Sequence, residues 1–511
     1  MDHGGTQVGA AAGNSHGEEA AVYRYVVDRR LAPDSCQSGC SRGEKLCGLS
    51  LRSIQFYGRG ENPGFFAYAA LGSVCTKAIA RERCYGQPAW GGEQCAAMAS
   101  WFDCARFGMF IHWGPASQHG WELSWPLVGG VGALPNSQSV GVEEYHAAAR
   151  TFNPVKFDAR ELARIAKRAG MQYGVLTAKH HDGFAMFHTK QSDWSIEHTP
   201  FKRDIVREYT DAFRAEGLKV GLYFSLLDWH HPDYPAFAES DKPYRWGQWR
   251  RSTPEQWNRF VEFMFAQMRE LLTNYGKIDL LWFDGGWERT PEEWKAREFV
   301  AMIRELQPGV IINDRIPGHG DYQTPEQAVP PKPLEGPWET CLTINNSWGY
   351  NPSDTDLKST RALIHTLCEV AGKGGNLLLN VSPMGDGALP SEHRERLDAI
   401  GVWMSRNGEA IVGTTPGLEP WQFYGPSTRR GNRVYLHCVM RPYESVSVRG
   451  VKIRRVGEAR VLSSTTPLKV RKRIGAADML FNQDPVGELV IQIPENEIDP
   501  LATVIALDFK E

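Results

Sequence analysis

The sequence predicts an α/β fold: an irregular (β/α)8-like barrel of the TIM type, followed by a smaller β-sandwich. Three features predict it. From Trp101 onward, strand-like and helix-like segments alternate over roughly 300 residues, the order that builds a parallel barrel rather than a doubly wound sheet. Polar, titratable residues recur at the C-terminal ends of the strand-like segments, where such barrels carry their chemistry. After about Gly408 the pattern changes to short alternating runs separated by turn residues, as in a small sandwich.

Barrel strands are expected at residues 107–113, 173–180, 219–226, 278–283, 310–313, 339–344 and 377–381. The stretch 279–287, DLLWFDGGW, is the most informative of them. Two leucines and two aromatics run straight into Asp284, the mark of a strand buried on both faces. A carboxylate is costly to bury, so one at the end of such a strand is either a helix cap or a catalytic group. Amphipathic stretches at 158–169, 204–216, 254–275, 291–307 and 358–371 supply the helices. Pro254 and Pro291 suit a first helical turn, where a missing N–H costs nothing. Gly170 and Gly217 suit C-terminal caps. Seven strands fall one short of a full barrel, hence the expected irregularity. Sandwich strands are expected at 433–439, 445–451, 459–462 and 487–493, with a linker near 413–417. The expected domains are therefore a barrel over 99–408 and a sandwich over 409–511. Residues 1–98 show little periodicity, and read as a poorly ordered extension or as a misassigned start ahead of Met98.

Composition narrows the function. The 511 residues are 42% hydrophobic and 23% charged with a net charge of −3, an ordinary globular balance. No basic block marks a nucleic-acid partner. The longest apolar run, GFFAYAALGSV from Gly64, is too short to span a membrane, so no membrane partner is expected. The N-terminus lacks the basic and apolar regions of a secretory signal, leaving the cytoplasm as the default compartment. Seven of the ten cysteines (Cys36, Cys40, Cys47, Cys75, Cys84, Cys95 and Cys104) precede residue 105. They include no Cys-x2-Cys pair, so they read as ordinary thiols rather than zinc ligands. Seventeen tryptophans are many, and aromatic faces stack against the C–H surfaces of sugars.

The candidate chemistry lies at the strand ends. His112 closes the first strand; His180, His181 and Asp182 close the second. The third carries Tyr223 and Ser225 and runs on to Trp229, His230 and His231. Asp284 closes the fourth, and Asn313, Asp314 and Arg315 the fifth. Glu326 follows in TPEQ, and Glu339 begins the sixth strand. A metal site could use His112, His180, His181 and Asp284 as ligands. Against it, the first strand has no His-x-His pair, and neighbours such as His180 and His181 point to opposite faces of a strand. Glycoside hydrolysis by two carboxylates, with no metal or other cofactor, gives every cluster a task. Asp284 would attack the sugar and a glutamate would protonate the leaving oxygen. The histidines and Arg315 would bind hydroxyl groups, and tryptophans would stack.

From Trp101 to the C-terminus the chain resembles the α-L-fucosidases of glycoside hydrolase family 29. RFGMFIHWG, TAKHHDGF, GLYFSLLDWHHPDY, WFDG at 282–285 and GGNLLLNVSPMGDG from Gly374 carry the resemblance. It implies a retaining exo-α-L-fucosidase acting on a fucosylated oligosaccharide or glycoconjugate, with Asp284 as nucleophile. It also implies sugar contacts from His112, His180, His181, Tyr223, Trp282 and Arg315, with Trp348 lining the site near the sugar's methyl group. Glu326 matches the acid/base of members resembling the α-1,3/1,4-fucosidase subgroup and is the favoured proton donor. Glu339, in PWETC, matches that of other members and is the second candidate. Members often carry a Glu-Trp sugar-binding pair after the first strand. Here the nearest match is Trp121-Glu122, in reversed order. Residues 1–98 match no part of the family pattern. A degenerate fucose-binding protein stands as the non-catalytic alternative.

Overall fold

The structure is a computed structural model that describes residues 101–132, 134–245 and 251–510. The expected N-terminal extension and six of the early cysteines lie outside them. Cys104, Cys341, Cys368 and Cys438 are free thiols.

Seven parallel strands form one curled sheet: β1 (Phe107–Ile111), β2 (Tyr173–Lys179), β3 (Lys219–Ser225), β4 (Leu280–Asp284), β5 (Ile311–Ile312), β6 (Glu339–Thr343) and β7 (Asn376–Val381). Their order is β5-β4-β3-β2-β1-β7-β6. All seven strands send side chains into one interior cluster that includes Phe110, Val175, Tyr223, Trp282, Ile311, Cys341 and Leu378. The gap between the edge strands β5 and β6 is spanned by the segment around residues 322–326. It bridges Asn313 through Tyr322, Trp338 through Gln323 and Cys341 through Glu326. The irregular closure therefore sits where Glu326 is.

Helices α1 (Val142–Arg150), α2 (Ala159–Arg168), α3 (Ile205–Ala215), α4 (Pro254–Asn274), α5 (Ala296–Leu306), α6 (Thr360–Gly372) and α7 (Ser391–Asn407) accompany the strands. Their ends follow local chemistry. The Asp158 side chain accepts N–H groups of Arg160 and Glu161 at the start of α2, and Thr253 and Gln256 form a reciprocal cap with Pro254 at the first position of α4. Gly170 and Gly217 take positive φ just beyond α2 and α3, as a helix stop requires. Pro291 does not open a helix as expected. The 291–295 stretch is a turn, Lys295 has φ of 49°, and α5 begins at Ala296. Trp294 holds that turn in place, donating its indole N–H to the Gly286 carbonyl at 3.0 Å.

The C-terminal part contains a five-stranded antiparallel sheet, ordered β12-β15-β10-β9-β8, and a three-stranded one, β11-β14-β13. The strands are β8 (Thr415–Pro416), β9 (Ser427–Arg430), β10 (Arg433–Cys438), β11 (Ser445–Lys452), β12 (Val456–Val461), β13 (Lys469–Arg473), β14 (Val486–Gln492) and β15 (Thr503–Phe509). Both sheets contribute to one apolar core, with Leu436 and Ile505 from the first meeting Val448 and Ile491 from the second. The sandwich is tied to the barrel through α6 and α7. Trp403 donates to the Ala502 carbonyl at 2.9 Å, and a His365 ring nitrogen lies 2.7 Å from the Leu501 carbonyl. Among the described residues, no helix is long and apolar enough to cross a membrane.

Candidate active site

Parallel strands of equal direction deliver their last residues to one face of the barrel. Asp284, at the end of β4, is held there by two donors. The Tyr223 hydroxyl, from β3, donates to Oδ2 at 2.9 Å, and the Arg315 guanidinium reaches Oδ1 at 3.3 Å. The same guanidinium donates to Glu326 Oε2 at 2.7 Å. Arg315 therefore bridges two carboxylates from different segments. Burial opposes its charge, but the Glu326 and Asp284 carboxylates more than offset this and push the guanidinium further toward the protonated form. Thr324 fixes the arm through Nε at 3.2 Å, and the ring of Trp282 lies 4.8 Å beneath the guanidinium carbon. Asp284 is largely covered, whereas the Glu326 side chain is 40% exposed, at the mouth.

Three histidines line the other side. Burial lowers His112 to about 4 and His181 to about 3, and takes His180 well below the ordinary imidazole range. At neutral pH all three are therefore uncharged, and each uses Nδ1 within the protein. His112 Nδ1 lies 2.8 Å from Asn380 Oδ1, His180 Nδ1 2.5 Å from the Ser124 hydroxyl, and His181 Nδ1 2.7 Å from the Ser225 hydroxyl. Ser225 donates onward to the Leu227 carbonyl, so its oxygen is left to accept from His181 Nδ1–H. That makes His181 Nε2 a bare acceptor, 3.7 Å from Asp284 Oδ2. Trp348 packs 5.0 Å from the His112 ring, and its carbonyl accepts from Asn380 at 2.8 Å. Neutral ring acceptors, one cation and aromatic faces suit a polyhydroxylated ligand with no charge of its own. Among the described residues, no group of three His, Cys, Asp or Glu side chains comes together so as to hold a metal ion.

Glu339 is not in this group. It lies at the N-terminal start of β6, fully buried, and accepts from the Tyr173 hydroxyl and from Trp282 Nε1–H at 3.1 Å. Burial pushes its carboxyl up to about 8. His230 stacks on Trp194 and His231 packs against Phe263, so neither joins the cluster. Trp229 does, with its ring 5.2 Å from His181.

Glu122 faces inward. It accepts the backbone N–H of Trp348 at 2.7 Å, and burial raises its carboxyl to about 8. Trp121 stacks on Tyr145. The residues that reach the site from this loop are Ser124, on His180, and Trp125, whose ring lies 5.5 Å from His181. Asn380, which orients His112 and Trp348, was also not anticipated. Its signal was a lone amide inside the apolar run NLLLNV.

A family model described as Alpha-L-fucosidase matches residues 73–409. The match begins at residue 73, inside the N-terminal segment, and leaves residues 1–72 outside it. A tissue alpha-L-fucosidase of Macaca fascicularis is 31% identical over 432 residues, spanning 80% of this chain and 87% of the relative. An alpha-L-fucosidase of Dictyostelium discoideum is 32% identical over 397 residues, covering 71% and 82%. Among solved structures, alpha-L-fucosidase isoenzyme 1 from Paenibacillus thiaminolyticus is 38% identical with a TM-score of 0.72, covering 82% of this chain and 100% of that one. A GH29 alpha-L-fucosidase from Bacteroides thetaiotaomicron, trapped as a covalent intermediate with 2-fluoro-fucosyl fluoride, is 28% identical with a TM-score of 0.70, covering 81% and 96%.

Proposed function

This chain belongs to the alpha-L-fucosidase family, and we propose that Asp284 and Glu326 share the work of its double displacement. The activity is that of a retaining α-L-fucosidase, releasing fucose from fucosylated glycans. Asp284 is the nucleophile. It attacks the anomeric carbon while Glu326, protonated, gives its proton to the departing glycosidic oxygen. The C–O bond to the glycan breaks as the Asp284 ester forms, leaving a β-linked fucosyl-enzyme. Glu326, now ionised, takes a proton from water, which attacks the same carbon from the side the glycan left. Fucose departs in its original α configuration, and both carboxyl groups return to their starting states.

The observation that best supports this division is the Arg315 bridge. In the first step Asp284 loses its negative charge to the ester as Glu326 gains one by giving up its proton. Arg315 therefore faces one anion before and after, and the step moves charge across the guanidinium without creating an unpaired ion in a covered site. We assign His112, His180 and His181 to sugar hydroxyls, met by the ring nitrogens that their Nδ1 contacts leave free, with Tyr223, Trp282, Trp348 and Arg315 completing the sugar site.

Replacing Glu326 with Gly tests the acid/base assignment. Loss of a general acid typically costs about 10²–10⁴ in rate, and most where the leaving group is poor. A fucosylated oligosaccharide should therefore suffer far more than a nitrophenyl fucoside. Azide should capture the β-linked intermediate and give α-fucosyl azide. Equal losses on both substrates, with no azide product, would exclude Glu326 as the acid.

A further inference from the structure

We propose that Glu339 is a positioning residue that sets the catalytic pair from the barrel floor, through the indole of Trp282. The proposal rests on the assignment of Asp284 and Glu326 above.

Glu339 and Asp284 occupy opposite ends of the barrel. Glu339 is the first residue of β6, in register with Asn376, the first residue of β7. Asp284 is the last residue of β4. Trp282 lies two residues before Asp284, on the same inward face. Its indole N–H points to the floor and donates to Glu339 Oε1 at 3.1 Å, and its ring carries the two groups that hold Asp284. Tyr223 stacks on it at 5.6 Å with planes 19° apart, and its hydroxyl donates to Asp284. The Arg315 guanidinium lies over it at 4.8 Å and joins Asp284 to Glu326. One ring thus underlies both supports of the nucleophile, and one hydrogen bond, donated to Glu339, fixes the ring's rotation.

The same geometry removes Glu339 from proton transfer to a leaving group. Both of its oxygens are engaged, by Tyr173 and by Trp282, and the side chain is wholly buried. Removing the Glu339 acceptor leaves the Trp282 N–H and the Tyr173 O–H unpaired in an apolar space, and each has reason to turn away. A small tilt of Trp282 moves Tyr223 and Arg315 together, and misplacement of about 1 Å can cost about 10²-fold in rate.

The test is a kinetic comparison of Glu339→Gln, Glu339→Leu, Trp282→Phe and the Leu/Phe double variant. Each is assayed on a nitrophenyl fucoside and on a fucosylated oligosaccharide, with thermal melting to verify folding. Gln keeps an acceptor for Trp282 and a polar partner for Tyr173, so kcat should stay within about threefold of the parent. Leu and Phe should each lower kcat about ten- to a hundredfold, equally on both substrates; Glu339→Leu should change KM little, whereas Trp282→Phe also raises it because that ring lines the sugar site. The double variant should be no worse than the worse single one, because both changes break one link.

A folded Glu339→Leu with unchanged kcat would overturn the proposal, as would additive losses in the double variant. So would a Glu339→Gln loss that deepens with poor leaving groups and yields α-fucosyl azide, for then Glu339 is the acid. If Glu339→Leu does not fold, Trp282→Phe decides alone, and parental kcat there contradicts the proposal. Failure of the acid/base assignment shows separately, in the leaving-group dependence of Glu326→Gly.

Discussion

The two ends of the barrel each hold carboxyl groups among aromatic rings, yet they place them in opposite surroundings. At the mouth, Asp284 and Glu326 share a guanidinium, and Glu326 is open to solvent. A nearby cation and partial exposure let charge move between the two carboxyl groups at little cost. On the floor, Glu339 is sealed and meets only neutral donors, the Tyr173 hydroxyl and the Trp282 indole. Burial without a cation favours the protonated form, so Glu339 holds its proton, whereas on the proposed mechanism the mouth carboxyls change charge. On the proposed assignment, a carboxyl's partners, rather than its presence at a barrel strand, decide whether it reacts or supports.

The comparison can be broken most sharply at Asp284. Asp284→Gly should abolish turnover on aryl and natural substrates alike, with a loss of several powers of ten, since no other group supplies the attacking atom. Steady-state rates settle it, and a residual rate above about one per cent of the parent would move the nucleophile elsewhere.

Arg315→Lys should cost less, about ten- to a hundredfold in kcat. A lysine keeps the charge but lacks the planar fork that reaches two carboxyl groups at once. Because both acids lose support together, the pH–rate profile should also shift. An unchanged profile with parental kcat would show that the bridge has no part in the reaction.

The smallest effect concerns stability and separates the two ends by sign. Glu339 is raised to about 8 in the fold, against an ordinary value near 4.5. Its stabilising contribution is therefore fully present below about pH 4.5 and lost as pH rises toward 8. His112 and His181 are lowered, to about 4 and about 3, against an ordinary 6.5. Their contribution is present above about pH 6.5 and lost on acidification. Glu339→Gln removes only the first term. The Tm of this variant relative to the parent should rise steadily between pH 5 and pH 8. A difference that is flat or falls with pH would mean that Glu339 is ionised in the fold.

Much of this was legible in the sequence because the barrel strands are short apolar runs that end on polar residues. All seven were anticipated to within about two residues at either end. Helices α1 and α7 were not. The first is short and alanine-rich. In the second, Leu397, Ile400, Trp403 and Met404 form an inward face diluted by charged neighbours. Strand β15, TVIALDF, was missed although it lies inside its sheet, between β12 and β10. Burial on both faces removes alternation, and only its turn-rich flank marked it. At the site, each strand-end group announced itself locally, but the Arg315 bridge depends on an irregular segment closing the barrel between β5 and β6. Spacing along the chain carries no sign of that closure. Nor could it separate Glu326 from Glu339, since that distinction is one of depth. The Trp121-Glu122 pair is only a reversed match to the family's Glu-Trp pair, and Glu122 bonds the Trp348 backbone instead. The side chains of that loop that touch the site histidines are Ser124 and Trp125, a few residues further on.

The most direct test of the central claim is to trap the intermediate. The enzyme should be treated with 2-fluoro-fucosyl fluoride, digested with a protease and sequenced by mass spectrometry. The account predicts one fluorofucosyl label, on the peptide containing Asp284, and on that carboxyl within it. A label on Glu326, Glu339 or any other residue would contradict it.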